Sequence, residues 1–95
     1  MSISFFDEKE LLESIEKTRG LIEICKYFIE VREDSVKRYK KGINQYPSDH
    51  RYKGWLEEAE GELAKDKEAL KQAKETLNEK LEIYKNYYGK KETLH

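Results

Sequence analysis

The sequence predicts an all-α protein: an antiparallel two-helix coiled-coil hairpin that dimerises into a four-helix bundle. Two runs of apolar residues with heptad spacing flank the only proline, Pro47, and heptad spacing is typical of helices packed along a seam. Charged residues make up 41% of the chain and hydrophobic residues 37%, which suits long helices with one buried face better than a thick globular core. We therefore interpret the 95 residues as a single helical-hairpin domain.

Helix 1 is predicted from about residue 8 to about residue 41. Asp7 is expected to be its N-cap, with Glu10 as the reciprocal capping partner and Phe6 packing against the first turn. Gly42 is interpreted as a left-handed residue that stops the helix. Residues at alternating spacings of four and three form the predicted seam: Leu11, Ile15, Thr18, Ile22, Cys25, Ile29, Arg32, Val36, Tyr39 and Ile43.

A second apolar stripe runs beside this seam through the middle of helix 1. One partner helix cannot cover both, so we expect the segment 20–32 to be buried on two sides. Two hairpins that meet through this stripe around a two-fold axis would form the four-helix bundle. The alternative is a wide single face partly covered by lysine stems. The predicted self-association residues are Leu21, Ile24, Phe28 and Val31.

Helix 2 is predicted from about residue 49 to about residue 88, after a turn at about 42–48 and before a short C-terminal tail. Pro47 disfavours helical backbone in the residue before it, and Ser48 or Asp49 is expected to cap the new helix. Its seam has a residue at every seventh position: Leu56, Leu63, Leu70, Leu77 and Tyr84. The interleaved positions are Tyr52, Ala59, Asp66, Ala73, Lys80 and Tyr87.

Folding the chain at Pro47 brings together residues whose numbers sum to about 98. Arg32 and Asp66 then face each other, and we interpret them as the pair that sets the register, because an unpaired charge in a helical seam is costly. The same alignment predicts further pairs: Leu11 near Tyr87, Thr18 near Lys80, Cys25 near Ala73, Tyr39 near Ala59, and Tyr46 near Tyr52.

Positive charge is concentrated around the turn. Residues 36–54 carry six cations and one carboxylate, a local charge of +5, although the whole chain carries -1. Aromatic residues among lysine and arginine can anchor a protein partner or stack on bases. Alternatively, the rings only cap the open end of the hairpin and the cations are solvated. The candidate partner-binding residues are Lys37, Tyr39, Lys40, Lys41, Arg51, Lys53 and Trp55.

The composition favours a non-enzymatic interaction module, such as an adaptor, a scaffold or a small inhibitor, of a type frequent among phage and mobile-element products. Its expected partners are a second copy of itself and an unidentified protein with an acidic surface. The alternative is a nucleic-acid-associated helical dimer that binds through the same basic end. A leucine-zipper interpretation fails, because Gly42 and Pro47 interrupt the continuous helix with which a leucine-zipper protein enters the DNA major groove.

Catalytic, metal and cofactor sites are not predicted. Cys25 is the only cysteine, so no disulfide can form within the chain, and at a seam position it is expected to act as a small buried hydrophobe. His50 lies in the turn, and Glu92 with His95 forms an isolated Glu-x-x-His in the tail, which is too little for a metal bundle. No apolar run approaches the roughly 20 residues of a membrane span. A cytoplasmic location is expected.

A helical hairpin of this length resembles the WXG100 proteins of type VII secretion, which carry Trp-x-Gly in the turn and Tyr-x-x-x-Asp/Glu near the C terminus. Tyr88 and Glu92 match the second pattern. Trp55 is followed by Leu56 and Glu57, so the first pattern is missing. The resemblance implies a secreted hairpin as a minor alternative. The needle subunits of type III secretion are similar only in having a proline-containing turn.

Overall fold

The computed structural model describes residues 7–89, and these form two helices in contact with each other. Helix α1 spans Glu8–Gln45 and helix α2 spans Arg51–Tyr84, followed by a π-helical segment, Lys85–Gly89. No strand occurs in residues 7–89. The predicted all-α helical hairpin is therefore confirmed. Within this range, neither α-helix combines enough length with enough apolarity to cross a membrane.

The chain divides into two compact units. The turn unit comprises Ile24–Leu70 and contains the end of α1, the turn and the beginning of α2. The terminal unit comprises Met1–Glu23 and Lys71–His95. In each unit a segment of α1 packs against a segment of α2.

Helix α1 begins as its capping residues predict. The backbone N–H of Glu10 donates to Oδ1 of Asp7 at 2.8 Å, and the N–H of Leu11 donates to the carbonyl oxygen of Asp7 at 3.0 Å. Asp7 thus satisfies donors of the first helical turn that have no partner within the helix. The predicted packing of Phe6 lies outside the described residues.

The prediction that Gly42 stops helix 1 at about residue 41 is wrong, because α1 continues to Gln45. The N–H of Tyr46 donates to the carbonyl oxygen of Gly42 at 2.8 Å, so helical hydrogen bonding runs a full turn past the glycine. No described glycine has a positive φ. Glycine is favoured here for a different reason: a Cβ at this position would lie 2.8 Å from Cζ of Tyr52 and closer still to two other ring carbons.

The turn is therefore shorter than the predicted range 42–48 and begins later, at Tyr46. Asp49 performs the predicted capping role, since its Oδ1 accepts from the N–H of Arg51 at 3.1 Å. The N–H of Asp49 donates in turn to the carbonyl oxygen of Tyr46 at 3.0 Å, which closes the turn. Helix α2 accordingly begins at Arg51, two residues after the predicted start, and changes to π-helical geometry after Tyr84.

The buried side chains belong to the predicted seam positions. In the terminal unit they are Leu11, Ile15, Thr18, Ile22 and Ala73, and in the turn unit Cys25, Val36 and Ala59. Burial of apolar surface stabilises each unit by about 25 cal/mol per Å². The heptad leucines of α2 are only half-buried, so the fully buried side chains that α2 contributes are those of Ala59 and Ala73.

Polar residues within the seam pair across the two helices. In the terminal unit, Nζ of Lys80 donates to Oγ1 of Thr18 at 2.8 Å, and the Thr18 hydroxyl donates to the carbonyl oxygen of Ser14 at 3.0 Å. In the turn unit, Nε of Arg32 donates to Oδ2 of Asp66 at 3.3 Å. Both pairs are those that folding at Pro47 predicts.

The second apolar stripe of α1 is uncovered in the single chain. Leu21, Ile24, Phe28 and Val31 are 50%, 53%, 45% and 40% exposed. The expectation that the segment 20–32 is buried on two sides is thus not met by the hairpin itself, because its second side has no helix against it. No other helix within residues 7–89 covers this side.

Candidate binding surface at the turn

Four aromatic side chains in the turn unit form a continuous set of ring contacts, which we call the aromatic cluster. The ring centroids of Tyr46 and Tyr52 lie 6.2 Å apart in a stacked arrangement. Tyr52 meets Trp55 edge to face at 5.4 Å, and Trp55 meets Tyr39 at 5.8 Å. Such pairs stabilise one another beyond the area that they bury. Tyr46 is 57% exposed and Trp55 is 40% exposed, so the cluster also presents ring surface to solvent.

Arg51 connects the cluster to the cap of α2. Its guanidinium lies 5.6 Å from the centroid of the Trp55 ring, within the range of a cation–π interaction. It also donates to both carboxylate oxygens of Asp49, from Nε at 3.0 Å and from Nη2 at 2.8 Å. These hydrogen bonds and the backbone N–H of Arg51 lower the pKa of Asp49 from 3.8 to about 2. The charge of Arg51 is thus largely neutralised by Asp49.

Four exposed lysines in the segments on either side of the turn make no ion pair among the described residues: Lys37, Lys40, Lys41 and Lys53. We call them the lysine patch. Arg38 differs, because its Nε lies 3.4 Å from Oδ2 of Asp34. Of the six cations in residues 36–54, the two arginines are therefore neutralised locally, and the positive charge available to a partner is that of the lysines.

A groove of about 330 Å³ lies between α1 and α2 in the turn unit. Its lining residues are Arg32, Ser35, Tyr39, Trp55, Glu58, Ala59 and Glu62. Among these residues, Nη2 of Arg32 lies 3.6 Å from Oε1 of Glu62. Glu58 is exposed and makes no hydrogen bond or ion pair within residues 7–89. The groove thus combines two aromatic rings with a free carboxylate.

Sequence reasoning did not identify this groove. A signal was present: Trp55, Glu58 and Glu62 follow each other at spacings of three and four, which places them along one side of α2. The facing residues of α1 could be recognised only after the correct alignment of the helices. The predicted site residues Tyr39 and Trp55 belong to both the aromatic cluster and this groove.

The remaining candidates are not brought together. Cys25 is 7% exposed and lies in the seam, and His50 is exposed in the turn, with neither among the groove residues. Glu92 and His95 lie outside the described residues. The motif formed by Tyr88 and Glu92 is therefore described only at Tyr88.

The described residues thus form a small helical hairpin with lysines and aromatic side chains near its turn. Comparisons of the chain with protein-family models, with curated proteins and with solved structures gave no match.

Proposed function

We propose that this protein is a non-enzymatic interaction module, an adaptor, scaffold or small inhibitor, that works in the cytoplasm and binds an acidic protein surface through its turn. The observation that supports this most directly is the exposed ring surface of Trp55 and Tyr46 beside four unpaired lysines. Aromatic side chains with few rotatable bonds are frequent anchors of protein interfaces. Surrounding lysines attract and orient an acidic partner.

We further propose that two copies associate through the exposed stripe of α1. An antiparallel pairing of two α1 helices that sets Ile24 against Phe28 brings Lys17 near Asp34 of the other copy. It also brings Glu13 near Arg38, so opposite charges flank the apolar contact on both sides. A parallel pairing would instead place each charge beside its own copy, and like charges oppose association. Charge complementarity therefore favours the two-fold antiparallel dimer.

The proposed binding through the turn is tested by reversing the charge of two lysines of the patch in the double variant Lys37→Glu, Lys41→Glu. The probe is a labelled polyglutamate peptide, titrated at several salt concentrations. Binding by the parent protein should weaken as salt rises, since exposed charges are screened. The double variant should lose most of its affinity and its salt dependence. The matched control, Lys71→Glu with Lys74→Glu, makes the same charge change on exposed residues of the terminal unit and should bind normally.

A single-stranded oligonucleotide of equal length tests the second candidate in the same assay. The observation that favours this candidate is the stacked pair of Tyr46 and Tyr52, of which Tyr46 is 57% exposed, because bases stack on aromatic rings in single-strand binding proteins. If the oligonucleotide binds more tightly than polyglutamate, with loss in Tyr46→Ala, the nucleic-acid interpretation replaces the protein one. If the parent protein binds neither probe, the lysine patch is only a solvated surface.

A further inference from the structure

We propose that the groove between α1 and α2 is a binding site for a guanidinium group, supplied by an arginine side chain of a partner protein. Binding of a guanidinium in the groove does not require the lysine patch to bind anything. Three features of the groove would favour a guanidinium: its rings, its free carboxylate and the contacts already made by Arg32.

Two aromatic rings line the groove among polar groups, and aromatic rings favour a planar cation. Tyr39 and Trp55 line the groove with their centroids 5.8 Å apart and their planes inclined by 40°. Aromatic faces carry partial negative charge and attract cations, most strongly in the case of tryptophan, and arginine stacks on them better than lysine does. The volume of about 330 Å³ lies at the small end of ligand-binding cavities. A single extended side chain suits it.

The carboxylates make the groove acidic within a basic region. Glu58 and Glu62 line it together with one cation, Arg32. The charge of Arg32 is shared between Glu62 at 3.6 Å and Asp66 at 3.3 Å, so it does not neutralise Glu58 as well. A guanidinium that enters from solvent can therefore lie against the rings and donate two hydrogen bonds to Glu58. A polyanion meets unfavourable charge at the same place.

The test uses Trp55, which is the only tryptophan and so reports on the groove through its fluorescence. A short peptide with one arginine and blocked ends is titrated into the protein at constant ionic strength. The comparison peptide has citrulline at that position, which keeps the shape and removes the charge. We expect a saturable fluorescence change with the arginine peptide, with a Kd of about a millimolar, and no saturation with citrulline.

Two variants separate the groove from general surface charge. Glu58→Gln should weaken arginine binding about fivefold, the range expected for one exposed ion pair. Glu57→Gln removes the same charge from the neighbouring exposed residue, which does not line the groove, and should bind as the parent does. Equal affinity for both peptides, or an unchanged affinity in Glu58→Gln, would overturn the proposal.

Two further measurements show whether the groove binds a partner's arginine or a free small molecule, and whether binding depends on the lysine patch. Methylguanidinium, tested alone, should bind more weakly than the arginine peptide; tighter binding would indicate a free small molecule and would contradict a partner's side chain. The double variant Lys37→Glu, Lys41→Glu should still bind the arginine peptide. The proposed guanidinium site and the proposed binding by the lysine patch can therefore be disproved independently of each other.

Discussion

Gly42 shows how one residue can stabilise a fold for a reason that its type alone does not reveal. It lies inside α1, where glycine is a poor helix former compared with alanine. The ring of Tyr52 occupies the space that any Cβ would need. That ring also contacts Tyr46 and Trp55. A side chain at position 42 would therefore displace part of the aromatic cluster.

We expect Gly42→Ala to lower the free energy of unfolding by about 1 kcal/mol. Overpacking costs typically about 1–3 kcal/mol, while the better helix propensity of alanine returns about 1 kcal/mol. Thermal and urea unfolding followed by circular dichroism measures the net change. The near-ultraviolet signal of the aromatic cluster should change as well.

The controls are two substitutions of the same kind. A Cβ at Gly61, also inside a helix, meets nothing within 4 Å, so Gly61→Ala should stabilise the protein by about 0.5–1 kcal/mol. In a Tyr52→Ala background the obstacle is gone, and Gly42→Ala should become neutral or stabilising. A destabilisation that persists in that background would mean that Tyr52 is not its cause.

Asp49 offers a second test at the level of one residue. Arg51 holds the pKa of this carboxylate at about 2, below the ordinary 3.8. Because the pKa is lowered on folding, the stabilisation is complete above pH 3.8 and is lost as the pH falls toward 2. Carbon-detected NMR of the Asp49 carboxylate should give a midpoint near 2, and Arg51→Ala should move it toward 3.8. An unchanged midpoint in that variant would exclude Arg51 as the cause.

At the scale of the helices, one ion pair joins α1 and α2 within the turn unit. Arg32 contacts Asp66 at 3.3 Å and Glu62 at 3.6 Å, and the side chains of Arg32 and Asp66 are 37% and 21% exposed. A pair that is neither buried nor fully solvated adds little net stability. We propose that its larger effect is on alignment, because a shift of one helix along the other would leave the Arg32 charge against apolar residues.

Asp66→Leu should therefore destabilise the protein more than the double change Arg32→Met, Asp66→Leu. The single variant leaves Arg32 beside leucine with only Glu62 as a partner, whereas the double variant places two apolar residues in contact. We expect a difference of about 1 kcal/mol in the free energy of unfolding, measured by urea titration. Equal losses in the two variants would show that the pair does not act as a unit.

At the scale of the whole molecule, the uncovered stripe of α1 is the feature that most needs an explanation. Leu21, Ile24, Phe28 and Val31 are each at least 40% exposed in the single chain. Clustered exposed apolar residues usually mark an interaction surface. Long hairpins with thin cores also gain stability from association.

We expect the protein to sediment as a dimer at micromolar concentration, with a Tm that rises with protein concentration, as mass action requires. Ile24→Ser combined with Phe28→Ser should give a helical monomer, because both residues are exposed in the single chain. Leu12→Ser, on an exposed leucine of α1 outside the stripe, should leave the dimer intact. A parent protein that is monomeric at high micromolar concentration with full helicity would contradict the proposed dimer.

The predictable part of the fold follows from patterns that repeat along the chain. Heptad spacing predicted both helices, and the reflection about Pro47 predicted the contacts of Arg32 with Asp66 and of Thr18 with Lys80. The cap at Asp7 was predictable because a cap depends only on neighbouring residues. The boundary at Gly42 was not, since the sequence pattern cannot distinguish a glycine needed for backbone conformation from one needed for space.

The sequence by itself determined the helical class, the antiparallel alignment and the basic character of the turn, because periodicity and local composition carry that information. Only the tertiary structure decided which charges are free: it pairs Arg51 with Asp49 and leaves four lysines and Glu58 unpaired. It alone revealed the groove. The physical reason is that the groove depends on distances between side chains of two helices, and the pairing of Arg51 with Asp49 depends on side-chain conformations within the turn. No repeat along one helix encodes either of them.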